Sequence, residues 1–133
     1  MKVTRINHLG IAVQDLEAAA CVYQAMGLSV TRIVDVPEQK VRVAFIPIGE
    51  STIELVQPTA PDSTVAAYLE KRGEGLHHLA LEVEDIHAAL AELKGQGMQL
   101  IDEAPRHGAE GQIAFLHPRS TGRVLIELVE ADR

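Results

Sequence analysis

Four residues of types that can bind a metal or carry a proton recur at matching places in the two halves of the sequence. His8 lies in an apolar stretch near the start of the chain, and His78 lies in a similar stretch 70 positions later. Glu54 and Glu127 lie in later apolar stretches that are 73 positions apart. A polar side chain is costly to bury without a partner. Four such residues, paired by an internal repeat, therefore indicate a common role.

Two imidazoles and two carboxylates suit a divalent first-row metal that keeps open positions for water or substrate. A single histidine on an apolar strand is more often a hydrogen-bonded core residue, but the repeat reverses that expectation for His8 and His78. Their neighbour His77 should point to the opposite face of its strand, and we interpret it as structural. Glu54 and Glu127 could each lie on a solvent-facing side of a sheet, but their paired positions favour the site.

The repeat extends to the elements that must position these residues. Each copy has a β-α-β-β-β pattern, with the histidine on the first strand and the glutamate on the last. The predicted strands of the first copy cover residues 3–13, 28–36, 40–48 and 51–57, and its helix covers 15–26. The predicted strands of the second copy cover 76–83, 98–102, 112–117 and 123–130, and its helix covers 85–95. A repeat that occurs only twice favours a pseudo-symmetric sheet over a solenoid.

Local signals complete this prediction. Asp15 can cap the first helix and Gly27 can end it. Residues 58–75 connect the copies and contain a short helix, for which Asp62 or Ser63 can act as the cap. The predicted core face of the first helix consists of Leu16, Ala19, Ala20, Tyr23 and Met26. We predict one domain over residues 1–133, with module one at about 3–57, a connecting helix at about 58–75 and module two at about 76–130. The glycine-bearing loop 105–111 is expected near a ligand.

The composition argues against several functions. A formal net charge of −7 disfavours binding to the phosphate backbone of nucleic acids, although a local site can still accept a small anion. No apolar run approaches the ~20 residues that span a bilayer, and no signal-peptide pattern precedes Val3. We therefore predict a soluble, cytoplasmic protein without a membrane partner. The single cysteine, Cys21, fits a reducing compartment and is interpreted as a small buried core residue.

Several stretches resemble the vicinal oxygen chelate superfamily, and within it the methylmalonyl-CoA epimerase family. The similarity covers nearly the whole chain, and its more diagnostic pieces are Gly-Leu-His-His at 75–78 and Phe-Leu-His-Pro at 115–118. The other matching stretches are 7–13, 37–39, 53–55 with Pro58, 62–64, 105–106, 108–109 with Gly111, and 124–128.

The resemblance implies an α+β fold, in which two tandem βαβββ modules form a curled, pseudo-two-fold mixed sheet around one divalent metal. It implies metal ligands at His8, Glu54, His78 and Glu127, with glutamine at the second position in some members. It also implies an enzyme, commonly a homodimer, that interconverts (R)- and (S)-methylmalonyl-CoA. Among the usable metals Co2+ is favoured over Zn2+, Mn2+, Ni2+ and Mg2+.

Epimerisation of an α-carbon needs a base on one face and an acid on the other. The resemblance makes Glu127 the catalytic residue on one face. For the other face several members use a second glutamate on the third strand, and the aligned position in this sequence is Val43. Glu54 and a metal-bound water are the alternatives for the second proton carrier.

Other residues and functions stay open. Arg106, Arg119, Ser120 and Lys71 are candidate anchors for the phosphates or the carboxylate of a small-molecule acyl-CoA, although exposed basic residues are usually just solvated. No glycine-rich phosphate signature is present. A glyoxalase-type lactoylglutathione lyase would use the same four ligands, and a metal-free binding protein of the same fold typically loses them. The 58–75 and 115–119 stretches favour the epimerase.

Overall fold

The computed structural model describes residues 1–132, and its elements follow the predicted order. The strands are β1 (Val3–Ala12), β2 (Arg32–Val36), β3 (Val41–Ile48), β4 (Ser51–Pro58), β5 (Gly75–Val83), β6 (Arg106–His107), β7 (Gly111–Phe115) and β8 (Ile126–Ala131). The helices are α1 (Leu16–Ala25), α2 (Thr64–Arg72) and α3 (Ile86–Gly95), with 3-10 turns at Pro37–Gln39 and Pro118–Ser120.

The hydrogen-bonded strand order is β2-β3-β4-β1-β5-β8-β7-β6. The strands β1 and β4 pair in parallel, as do β5 and β8. The β2–β3, β3–β4, β6–β7 and β7–β8 pairs are antiparallel. The predicted α+β fold, with two βαβββ modules in a mixed sheet, is confirmed.

The chain divides into two compact units, which we call the first unit (residues 8–77) and the second unit (residues 1–7 with the chain from His78 onward). In the first unit, one face of the sheet packs against α1, and its buried core is Val13, Leu16, Ala20, Ala44, Ile46 and Leu55. In the second unit, one face packs against α3, and its core is Val83, Ile86, Ala89, Leu90, Leu93, Ala114, Leu116 and Leu128. The prediction of one domain over residues 1–133 stays a prediction.

The helices α1 and α3 begin in the same way. Asp15 caps α1 by accepting hydrogen bonds from two amides of the first turn, and Asp85 caps α3 by accepting one, from the amide of Ala88. A side chain from the last strand of the same unit also accepts the first amide of each helix, Gln57 for α1 and Glu130 for α3, at 2.9 Å in both cases. These contacts satisfy helix amides that have no partner within the helix, so each helix is tied to the sheet at its start.

Some predictions about burial are wrong. Cys21 is exposed, and Met26 is 62% exposed, whereas Leu16 and Ala20 are buried as predicted. The hundred-degree step of the helix places positions 21 and 26 away from the sheet, and the ten-residue helix has ended before Met26. The mostly apolar first strand also predicts a buried element, but several of its apolar side chains are exposed: Val3, Ile6 and Leu9.

Two predicted strands differ in the structure. The strand predicted at 28–36 begins only at Arg32. Residues 98–102 form no strand, and their only pairing among the described residues is an isolated bridge between Leu100 and Leu116. Leu100 instead packs its side chain on the core of the second unit. The second strand of the β-α-β-β-β pattern in the second copy is instead Arg106–His107, inside the stretch predicted to be a loop.

The connecting helix α2 lies within the predicted 58–75 segment, and Ser63 caps it rather than Asp62. The Ser63 hydroxyl oxygen accepts hydrogen bonds from the amides of Val65 and Ala66. In residues 1–132, none of the helices has the length and apolar character needed to cross a membrane.

Candidate functional site

A histidine and a glutamate approach each other in the first unit. The parallel register of β1 and β4 places Gly10 opposite Glu54, so His8, two residues earlier, lies on the same face of the sheet as Glu54. The His8 Nδ1 atom lies 3.0 Å from Glu54 Oε2, and each side chain is 5% exposed.

This contact is close, but it does not have hydrogen-bond geometry. The Glu54 Oε2 atom is buried and accepts no hydrogen bond from residues 1–132. A buried carboxylate oxygen without a donor is costly. A cation bound to both the imidazole nitrogen of His8 and this oxygen would supply the partner that the oxygen lacks.

The second unit repeats the arrangement. The parallel register of β5 and β8 places Ala80 opposite Glu127, and His78 lies two residues before Ala80. The His78 Nε2 atom lies 3.0 Å from Glu127 Oε1, and both side chains are less than one-tenth exposed. Each histidine–glutamate pair belongs to a cluster of histidine and carboxylate side chains whose donor atoms lie within 4.8 Å of one another. The structure thus contains residues that could hold a divalent metal.

The structure therefore brings the four predicted residues together as two pairs, one in each unit. Their assignment as metal ligands, and that of Glu127 as the catalytic residue, stays a prediction. The alternative of a solvent-facing position is wrong for both Glu54 and Glu127, because both side chains are buried.

A phenylalanine faces each glutamate from the neighbouring strand. Phe45 on β3 is opposite Glu54, and Phe115 on β7 is opposite Glu127. The ring of Phe115 also contacts His78 edge-on, with 5.7 Å between ring centres. Directly opposite residues share a face of the sheet, so each phenylalanine lies on the same face as the glutamate that it is paired with. These phenylalanines were not predicted from the sequence, although they are 70 positions apart, as the histidines are.

An arginine lies over each of these rings. The Arg32 guanidinium carbon is 4.2 Å from the centre of the Phe45 ring, and that of Arg106 is 5.7 Å from the centre of the Phe115 ring. Only Arg106 was a candidate from the sequence. The internal repeat therefore includes a histidine, a glutamate, a phenylalanine and an arginine in each unit.

Val43 occupies the face of β3 that carries Phe45. It pairs with Val34 on β2 and Val56 on β4, and it is buried. Its aliphatic side chain cannot accept or donate a proton. The position at which the resemblance implies a second acid/base is therefore chemically inert in this chain.

His77 has a different environment from His78. Its ring packs against the ring of Tyr68 on α2, with 4.9 Å between the centres and nearly perpendicular planes. The Tyr68 hydroxyl donates a hydrogen bond of 2.6 Å to the carbonyl of Leu76. These contacts hold α2 against the start of β5, which supports the structural interpretation of His77.

The remaining candidate anchors lie at the surface. Arg119 and Lys71 are exposed. The Ser120 hydroxyl oxygen accepts a hydrogen bond of 2.9 Å from the amide of Gln99, so it already has a role in holding the 118–120 turn.

A buried polar group in the second unit was not predicted from the sequence. Glu82 on β5 is 7% exposed, and its Oε1 atom accepts hydrogen bonds from Asn7 Nδ2 at 2.9 Å and from Arg5 Nε at 3.1 Å. Asn7 is itself buried. These side-chain contacts join the beginning of β1 to β5, the strand that carries His78.

Comparison with known proteins places the chain in a superfamily. Residues 7–115 match the model of the Glyoxalase/Bleomycin resistance protein/Dioxygenase superfamily, and the chain belongs to that superfamily. The mitochondrial methylmalonyl-CoA epimerase of Homo sapiens is 41% identical to it over 130 residues, which are 96% of this chain and 74% of the relative. Within the superfamily, the chain belongs to the methylmalonyl-CoA epimerase family.

Two further comparisons support this membership. The ethylmalonyl-CoA/methylmalonyl-CoA epimerase of Cereibacter sphaeroides is 42% identical over 130 residues, covering 95% of this chain and 97% of the relative. The solved structure of a methylmalonyl-CoA epimerase in complex with methylmalonyl-CoA and NH4+ has a TM-score of 0.93 and 39% identity, covering 98% of this chain and 96% of that one.

Proposed function

We propose that this protein is an epimerase that interconverts (R)- and (S)-methylmalonyl-CoA by 1,1-proton transfer at the α-carbon. The observation that carries the proposal is the pair of buried histidine–glutamate contacts, each 3.0 Å long and each on parallel neighbouring strands. Family membership over nearly the whole length supplies the substrate class.

The proposal includes a divalent metal with His8, Glu54, His78 and Glu127 as ligands. The nitrogen and carboxylate donors fit a first-row divalent ion, and the buried Glu54 Oε2 without a hydrogen-bond donor fits a ligand atom. When bound, such a metal acts as a Lewis acid that stabilises negative charge on the thioester oxygen as the α-proton is removed. We propose Co2+ first, with Zn2+, Mn2+, Ni2+ or Mg2+ as alternatives.

Glu127 would move the proton on one face of the α-carbon. Its carboxylate is held beside His78 and is buried on the sheet face that also carries Phe115, so it is oriented and shielded from bulk water before substrate arrives. The opposite face needs a second proton carrier. Because Val43 cannot serve, we propose Glu54 for this task, with a metal-bound water as the alternative.

We further propose that the chain acts as a single domain, forms a homodimer, and works in the cytoplasm on an acyl-CoA. The proposal includes no nucleic-acid or membrane partner. The family relationship supports the homodimer and the acyl-CoA substrate, and the composition supports the cytoplasmic location. Measurement of the oligomeric state and of the cell fraction that contains the protein would test the dimer and the location.

The decisive experiment follows the α-proton of (S)-methylmalonyl-CoA by NMR in deuterium oxide. We expect loss of the α-proton signal and appearance of the other epimer with cobalt-loaded protein, and no exchange above background after a chelator has removed the metal. Absence of exchange with the loaded protein would overturn the proposal. Turnover of the methylglyoxal–glutathione hemithioacetal at a higher kcat/KM would favour a lactoylglutathione lyase instead.

A further inference from the structure

The sheet face that carries Glu127 in the second unit also carries Arg106. On the β6–β7 pair, Arg106 is directly opposite Ile113. On the β7–β8 pair, Phe115 is directly opposite Glu127. Directly opposite residues share a face of the sheet, and so do residues two apart on one strand. Arg106, Phe115 and Glu127 therefore lie on one face.

Two contacts determine where the Arg106 guanidinium lies. Its Nε atom is 3.2 Å from Asp102 Oδ1, and its carbon lies over the Phe115 ring. The other oxygen of Asp102, Oδ2, accepts the backbone amide of Phe115 at 2.9 Å. Asp102 thus ties the arginine to the residue that faces Glu127 and contacts His78.

This arrangement uses the Nε atom and one face of the guanidinium. Asp102 is the acidic residue paired with Arg106, and no second one is paired with it in residues 1–132. The remaining Nη edge presents parallel donors, a geometry that matches a carboxylate or a phosphate. In a chain with a net charge of −7, a cation held in a defined position gives an anionic ligand a local attraction that the overall field does not provide.

The first unit contains a similar placement of an arginine over a phenylalanine ring. Arg32 lies over Phe45, and Phe45 is opposite Glu54, as Arg106 lies over Phe115 and Phe115 is opposite Glu127. An arginine beside the phenylalanine that faces the glutamate is therefore a property of the repeat.

We propose that Arg106 binds an anionic group of the acyl-CoA substrate and that Asp102 is its positioning residue. The anion is either the carboxylate of the acyl group or a phosphate of coenzyme A, since both match the same donor edge. The inference rests on the proposed function, because it takes the substrate class from it.

The test uses two variants of Arg106. Arg106→Gln removes both the positive charge and the parallel N–H donors of the guanidinium, and Arg106→Lys keeps only the charge. Arg42→Gln is the matched control: Arg42 also places Nε near an aspartate Oδ1, that of Asp35, and its side chain is 41% exposed against 40% for Arg106. Arg42 and Ala44 lie on the same face of β3, and this is the face that packs against α1.

We expect Arg106→Gln to raise KM for methylmalonyl-CoA by roughly 10- to 100-fold, the value of a charge-assisted hydrogen bond, with kcat changed by less than about threefold. Arg106→Lys should recover part of the loss, because a point charge replaces the fork. Arg42→Gln should leave both constants unchanged. Asp102→Asn keeps an oxygen for the Phe115 amide but not the charge beside Nε, so KM should rise by a smaller factor.

Binding measurements separate the two sources of the anion. Methylmalonyl-pantetheine has the carboxylate without the nucleotide phosphates, propionyl-CoA has the phosphates without the carboxylate, and propionyl-pantetheine has neither. A loss of affinity in Arg106→Gln confined to the first compound assigns the carboxylate, and one confined to the second assigns a phosphate. The inference would be overturned if wild type and Arg106→Gln bound all three compounds with equal affinity. It would also be overturned if the variant lost as much affinity for propionyl-pantetheine, which has neither anion, as for the other two compounds.

The outcome is distinguishable from a failure of the proposed function. If wild-type protein does not exchange the α-proton of methylmalonyl-CoA, the function fails, but the binding comparison with propionyl-CoA still reports on Arg106. If wild-type protein turns over and Arg106→Gln shows the same KM as wild type, the function stands and the role of Arg106 is rejected. Circular dichroism and the melting temperature of each variant establish that it is folded.

Discussion

Glu127 and His78 lie on neighbouring parallel strands with 3.0 Å between Glu127 Oε1 and His78 Nε2, and both side chains are buried. His8 and Glu54 stand in the same relation on another pair of parallel strands. The same histidine–glutamate arrangement therefore occurs twice, and in both copies the two residues come from strands that are distant in the sequence. Each proposed ligand is consequently held by sheet register rather than by a mobile loop, which favours a preorganised site.

Replacing Glu127 by glutamine should abolish catalysis without unfolding the protein. The amide keeps the shape of the side chain but cannot take the α-proton, and a positioned general base typically contributes about 10²- to 10⁴-fold to the rate. Rates of deuterium incorporation into methylmalonyl-CoA measure the effect. Glu70→Gln, at an exposed position on α2, is the control. A Glu127→Gln rate within about threefold of wild type would exclude Glu127 as the catalytic residue.

Replacing Glu54 by alanine should weaken metal binding more than replacing it by glutamine, because glutamine keeps an oxygen donor. We expect the alanine variant to lose more than the roughly 10- to 100-fold in affinity that removal of an outer-shell partner causes. Calorimetric titration with Co2+ gives the dissociation constants. Glu38→Ala, in the exposed 3-10 turn, provides the comparison. Identical Co2+ affinities in wild type and Glu54→Ala would remove Glu54 from the ligand set.

Replacing Glu82 by alanine should destabilise the protein strongly. The change removes the acceptor for Arg5 and Asn7, and loss of one partner of a buried charged pair costs about 3–5 kcal/mol. Urea unfolding measures the free energy. Glu82→Gln retains an acceptor oxygen for Asn7 and should be less damaging. A loss for Glu82→Ala below about 0.5 kcal/mol, the usual size of a surface effect, would contradict a structural role for this group.

The ion pair between Lys40 and Asp62 should make stability depend on acid pH. The hydrogen bond from Lys40 holds the pKa of the Asp62 carboxyl below its ordinary value of 3.8. A carboxyl whose pKa is lower in the folded state stabilises the protein above the unfolded value, and this contribution is lost as pH falls through the folded value. The difference in unfolding free energy between wild type and Asp62→Asn should therefore be constant above about pH 5 and should shrink in more acidic solution.

Urea unfolding of both proteins from about pH 7 down to about pH 3 would measure this difference. Glu103→Gln should behave in the same way, because Lys94 lowers the pKa of Glu103 by a side-chain hydrogen bond. A difference that does not change with pH would show that the Asp62 contact does not couple to folding.

Much of the secondary structure could be predicted because its signals are local. Alternating apolar residues, the Asp15 cap and the glycine after α1 all act within a few positions of the element that they define. The strand expected at 98–102 failed for a related reason. Met98 and Leu100 pack on the core of the second unit while the backbone makes an isolated bridge rather than a strand, and the pattern of apolar residues cannot distinguish these two outcomes.

Repetition and alternation can be read along one chain, so the β-α-β-β-β repeat and the four polar residues that recur in it were predictable from the amino-acid order. The folded chain was needed to learn that each histidine lies beside a glutamate, that a phenylalanine faces each glutamate, and that Asp102 ties Arg106 to Phe115. Most of these contacts depend on the register between neighbouring strands, and register is set by how the whole face packs, which no local pattern records.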